Sequence, residues 1–211
     1  MMVDSIQIKS LTFRRRMFVI LLIFIIFFVS DLFIAEASQA LVKEEAPQFL
    51  SYMADYTVPN VSVIRQDSQK FDFLKELDDG RPVILNFVFV SCSAICPMLS
   101  HVFSKVQDQL TKDGQKFHLM TISIDPENDS PASLTEYAKK FSAGPNWSFY
   151  TGTREASLKL QKAFKAYRGD KMNHASLIFM RSEPGKSWLR LDGFVSPDTV
   201  VKEYYKMVHP Q

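Results

Sequence analysis

The chain holds only two cysteines, Cys92 and Cys96, and both stand in FVFVSCSAICPML (87–99), where an apolar run meets a proline. Four residues of helix return a side chain to the same face, so thiols at this spacing point one way where a helix opens. A helix N-terminus carries partial positive charge and unpaired N–H groups, and both favour thiolate over thiol. Two neighbouring thiolates repel, and either oxidation to a disulfide or a cation relieves them. C-x-x-x-C is one residue wider than the usual redox C-x-x-C, and two soft sulfurs facing one way suit Cu(I) and also Zn(II). A purely structural 92–96 bridge would close too small a loop to constrain much chain, so chemistry is the better reading.

Two thiolates rarely complete a metal site, and the chain offers four histidines as a third donor. His101 lies five residues past Cys96, about 140° around a helix, and faces elsewhere. His118 opens an apolar strand at its N-terminal end, the wrong edge of a sheet. His209 is in the terminal tail and is expected in solvent. His174, in KMNHASLIF immediately before a strand, is left. Its neutral imidazole would complete a set of two sulfurs and one nitrogen, able to hold Cu(I), and Cu(II) with a further ligand or water. Met98 and Met172 flank these positions; thioethers also bind Cu(I), but packing in the core or a loop is the expectation for both. In SIDPENDSP, Asp125 is expected to turn the chain and Asp129 or Ser130 to cap a helix, rather than either aspartate supporting the site. Pro97 suits the start of a helix, where it forfeits no hydrogen bond.

The elements that must position these groups follow from hydrophobic periodicity. PVILNFVFV (82–90) is a nearly continuous apolar run, the pattern of a strand buried on both faces. Residues 97–112 place Met98, Val102, Val106 and Leu110 at helical spacing and stop near Gly114. FHLMTISI (117–124) is a second buried strand. Ser130-Pro131 opens another helix, with serine as cap and proline at the first helical position. Residues 154–167 read as helix, SLIFM (176–180) and WLRLDGF (188–194) as an antiparallel pair, and Pro197 to Val208 as a closing helix. VSVIRQDSQKFDF (61–73) adds two short strands around a polar turn. The order describes an α/β mixed sheet flanked by helices, thioredoxin-like, with an extra N-terminal β-hairpin. In such sheets ligands bind beyond the strand carboxyl ends, where the cysteines fall.

Lys9 and Arg14, Arg15 and Arg16 precede MFVILLIFIIFFV (17–29), a run without a polar side chain. A charged flank before an apolar run is the layout of an export signal. Small residues at 35–40 favour cleavage, whereas a helix over 17–35, about 28 Å long, nearly spans a bilayer. Both outcomes leave the remainder outside the cytoplasm, because the arginines stay inside. The organisation expected is a signal peptide or membrane anchor over 1–40, a linker over 41–58 and one domain over 59–211. A net charge of +2, with no basic stripe interleaved with aromatics, argues against a nucleic-acid partner.

S-C-S-A-I-C-P, then S-I-D-P-E-N-D-S-P, then N-H-A-S-L-I-F with a later D-G, resembles the Sco/SenC family of copper chaperones over roughly 56–208. The resemblance implies a thioredoxin-like domain, usually membrane-tethered, that binds one copper ion through the positions that are Cys92, Cys96 and His174 here. It further implies a copper donor protein and an apo-cuproprotein client, such as the binuclear copper site of a cytochrome c oxidase subunit. The periplasmic side of a bacterial inner membrane is the location expected. The family commonly has Asp before the histidine; here Asn173 stands there and the charge is lost. A competing function is thiol–disulfide exchange that keeps a client's cysteines reduced, with Cys92 attacking and Cys96 resolving. No threonine-to-cysteine peroxidatic pattern is present, which argues against a peroxide-reducing relative.

Overall fold

Residues 49–210 are described by the computed structural model. The expected signal or anchor over 1–40 lies outside the described residues, and no helix among those described is long and apolar enough to cross a membrane. The elements are β1 (Phe49–Ala54), β2 (Ser62–Arg65), β3 (Lys70–Asp72), α1 (Phe73–Leu77), β4 (Val83–Val88), α2 (Ile95–Lys112), β5 (His118–Ser123), α3 (Pro131–Lys140), β6 (Trp147–Gly152), α4 (Arg154–Ala163), β7 (Leu177–Arg181), β8 (Trp188–Gly193) and α5 (Pro197–Val208), with a 3-10 turn at Lys171–Asn173.

The strands form one eight-stranded sheet in the order β1-β8-β7-β4-β5-β6-β2-β3. β4, β5 and β6 run parallel, joined by crossover helices, and β7 pairs antiparallel to β4. β4 and β5 are buried at every position, as their unbroken apolar runs require. Alternate residues feed two cores. Ile84 and Val88 face α2, α3 and α5, packing with Leu99, Phe103, Leu134 and Tyr204. Leu85 and Phe87 face the other side, with Phe73 of α1, Leu160 of α4 and Phe164. Asn86, central in β4, is fully buried, and neither atom of its amide group has a partner.

The caps follow the sequence. Ser130 accepts the Ser133 N–H ahead of Pro131, and Ser196 accepts the Thr199 N–H ahead of Pro197. Three expectations need correction. From Phe49 to Ala54 the expected linker is instead an edge strand paired along its length with β8. β6 lies in a stretch not read as strand, and it inserts between β5 and the N-terminal hairpin. The helix expected over 154–167 ends at Ala163, because Phe164 caps it and Lys165 turns left-handed at φ 51°.

Candidate metal centre

β4 runs out at Val88 into a loop whose turns are set by main-chain bonds. The Cys92 N–H donates to the Phe89 carbonyl at 3.1 Å. Cys92 therefore lies in the loop, ahead of α2, while Cys96 is the second residue of the helix. The two do not share a helical face as their spacing predicts. The loop instead folds Cys92 back so that its Sγ accepts the Cys96 N–H at 3.4 Å. Both thiols are free.

Their environments differ sharply. Burial opposes the Cys92 thiolate, but hydrogen bonds from the Cys96, Ala94 and Ile95 amides outweigh it, and the thiol falls below its ordinary value. Cys96 is fully buried, and burial drives its thiol far above the usual range despite a hydrogen bond from the Phe89 amide. Cys92 is half-buried and ionises more readily than the buried Cys96.

His174 enters from the opposite chain direction. Antiparallel pairing of Asn86 with Ile178 puts the start of β7 beside the end of β4, so the segment before β7 reaches the cysteine edge. Asp170 caps the 3-10 turn by accepting the Met172 N–H at 2.8 Å, and His174 follows it. The ring is buried, edge-on to Phe89 with centroids 6.5 Å apart. Burial lowers its pKa, partly offset by a ring N–H donated to the Phe87 carbonyl, so the imidazole is neutral. Its Nε2 is buried with no partner; the Phe87 bond therefore falls to Nδ1, which leaves the Nε2 lone pair open.

Asp125 and Asp129 do more than turn the chain. Of the two candidate caps of α3, Ser130 takes the role, and Asp129 is left for another. Its buried carboxylate accepts the Ser123 hydroxyl at 2.6 Å and the Val90 N–H at 3.2 Å, fastening the cysteine loop to the end of β5. Burial raises its pKa. Asp125 takes Lys171 at 2.5 Å, and its two oxygens share the Asn128 side-chain amide at 3.0 and 3.1 Å, fastening the turn that leads to His174. One loop thus braces both halves of the site. Met98 is 55% exposed on α2 and does not pack in the core, whereas Met172, 74% exposed, sits in a loop as expected. Asn173 is exposed, and its N–H donates to the Asp170 carbonyl.

The remaining histidines stand apart from this edge. His101 is exposed, and His209 is exposed and stacks on Tyr205. His118 is buried at the start of β5, beside Asp79, Ser148 and Tyr150. Among the described residues no three of His, Cys, Asp and Glu stand close enough together to hold a metal ion. Cys92 and Cys96 are in contact; His174 shares Phe89 with them without closing the group.

Comparison with known proteins places this arrangement. The SCO1/SenC family model matches residues 57–209. The SCO1 protein homolog of Bacillus subtilis is 28% identical over 115 residues, which cover 51% of this chain and 60% of that protein. The chain thus matches less than two thirds of that relative's length. The structure of BsSco, a member of the Sco family of cytochrome c oxidase assembly proteins in which a disulfide switch is identified, superposes with TM-score 0.64 at 24% identity, covering 75% of this chain and 97% of that one. Arabidopsis thaliana ScoI with copper bound gives TM-score 0.63 at 23% identity, over 74% and 100%. These likenesses establish the thioredoxin-like fold, and the match over 57–209, carrying both cysteines and His174, means that the chain belongs to the SCO1/SenC family.

Proposed function

We propose that this domain carries copper outside the cytoplasm as cargo, held by the Cys92 and Cys96 sulfurs and His174 Nε2, and releases it to an apo-cuproprotein. The observation that carries this reading is the buried, unpartnered Nε2 of His174. A buried imidazole with one nitrogen tied to a carbonyl and the other empty is left unsatisfied unless something takes its lone pair. Two sulfurs and a neutral nitrogen form a soft donor set suited to Cu(I), and a relative of this fold holds copper. Because the three groups do not yet converge, loading draws the histidine turn toward the cysteine loop. The binuclear copper site of cytochrome c oxidase is the client this reading favours, with a separate protein as copper donor. The apolar segment at 17–29 supports export and membrane attachment.

The unequal cysteines favour a second reading, thiol–disulfide exchange. Cys92 thiolate would attack a client disulfide sulfur, forming a mixed disulfide and releasing one client thiolate. Cys96, deprotonated, would then displace the second client thiol and close the 92–96 disulfide. The lowered thiol of Cys92 and the buried thiol of Cys96 suit those roles.

The test is the copper content of the exported domain purified reduced and without air. One copper per chain that is lost on oxidation to the disulfide supports the carrier. Metal-free protein that reduces client disulfides rapidly and takes up no Cu(I) overturns it in favour of the reductase.

A further inference from the structure

Behind His174 lies a cavity of about 520 Å³, walled by the loop after β5, the side of α4 and the segment 166–171, with His174 itself in its lining. That volume falls within the range of small-molecule sites and far exceeds what a few waters fill. The carrier function above makes no use of it.

Its charges are unevenly engaged. Of the acidic groups in the wall, Asp125 is held by Lys171 and Asn128, and Asp170 accepts the Met172 N–H. Asp170 and Glu127 are in no ion pair among the described residues. On the basic side, Arg168 donates only to the Lys165 and Tyr167 carbonyls, and Arg154 takes part in no ion pair among the described residues. Two arginines outside any ion pair among the described residues therefore line one cavity. Guanidinium forks match carboxylates in shape and charge, and bind them in pairs of parallel hydrogen bonds.

We propose that this cavity is a binding site for a small organic acid with two or more carboxylates, held by Arg154 and Arg168 against the wall that contains His174. The size argues for an organic molecule over a single inorganic anion. An occupant would brace the 166–174 segment from behind and so bear on how freely the histidine turn moves. The assignment does not depend on copper.

The experiment titrates citrate into reduced, metal-free protein by calorimetry, with phosphate as a second probe and Arg154→Gln/Arg168→Gln as the variant. Both arginines are solvent-exposed, so the substitutions spare the fold. The expected result is saturable one-to-one binding of citrate, weakened at least about tenfold in the double variant and by added salt. Phosphate is expected to bind at least about tenfold more weakly than citrate. Cys92→Ser, which removes a proposed copper thiolate, should leave the citrate isotherm unchanged, so this site and the copper site are judged separately. No saturable citrate binding, or binding indifferent to the arginines, overturns the proposal. Equal binding of phosphate overturns the organic-acid assignment, and loss of citrate binding in Cys92→Ser assigns the signal to the cysteine site instead.

Discussion

His118 and His174 are both buried imidazoles with lowered pKa, set at opposite ends of the sheet. Their surroundings give them different work. His118 sits among groups that engage it: Nε2 meets Ser148 Oγ at 3.2 Å and the Tyr150 hydroxyl at 3.3 Å, and Nδ1 lies 3.1 Å from Asp79 Oδ2. That last approach is too oblique for a hydrogen bond, but it keeps a carboxylate charge against the ring. Asp79 is itself gripped by Arg81, and Tyr150 donates to Glu76. His174 has one carbonyl and nothing else. A buried histidine with every neighbour committed is a structural tie, whereas one with a vacant lone pair is a donor awaiting a partner.

The largest effect that could break this contrast is on copper. His174→Ala should weaken Cu(I) binding, measured by chelator competition, by more than the roughly 10–100-fold that loss of a supporting group costs. His118→Ala should leave Cu(I) affinity unchanged and lower stability in urea by about 1–3 kcal/mol. Exchange of these two outcomes would invert the assignment.

Acid should sharpen it further. Burial pulls His118 down to about 4 in the fold, against about 6.5 unfolded. A depressed histidine gives stability that is fully present above pH 6.5 and is lost as pH falls toward 4, because the unfolded chain takes up the proton first. The loss should reach about 3 kcal/mol in denaturant titrations of metal-free protein, and His118→Gln should flatten most of it. An unchanged profile in that variant would show that the ring is not the acid-sensitive group.

The two aspartates, both buried, should separate by the exposure of their partners. Asp129→Ala leaves the Val90 N–H and Ser123 hydroxyl without their acceptor, at a cost of about 1–3 kcal/mol, and should lower Cu(I) affinity as loss of a support does. Asp125→Ala frees Lys171, a side chain 37% exposed, and should cost under about 1 kcal/mol. Smallest of all, Asn173→Asp should change Cu(I) affinity by less than about threefold, since the side chain is exposed and charge there is screened. A larger change would mean that residue 173 turns inward on loading.

Much of this was legible in the sequence where the pattern is local. Unbroken apolar runs mark β4 and β5, and Ser-Pro marks two helix starts. The cysteine spacing and the position before β7 single out Cys92, Cys96 and His174. What escaped is non-local. β1 has an exposed, irregular pattern, and only β8, more than a hundred residues later, makes it a strand. The assignment of Met98 to the core failed because a helical spacing does not say which face is covered. The bracing by Asp129 joins residues 39 apart through a backbone amide, so side-chain types carry no trace of it. The placement of Cys92 in a loop was hidden for the same reason, since main-chain bonds decide where α2 begins.

The contacts at the end of β4 are made largely by main-chain atoms. The Phe87 carbonyl holds His174, the Phe89 carbonyl and amide serve Cys92 and Cys96, and the Val90 amide meets Asp129. Three residues of the 87–90 stretch thus furnish the scaffold with groups that every amino acid possesses. Drift in their side chains can alter packing, yet it leaves these bonds available. The segment is buffered against most point mutations and vulnerable to one kind: proline at 89 or 90, which deletes an amide that nothing nearby can replace.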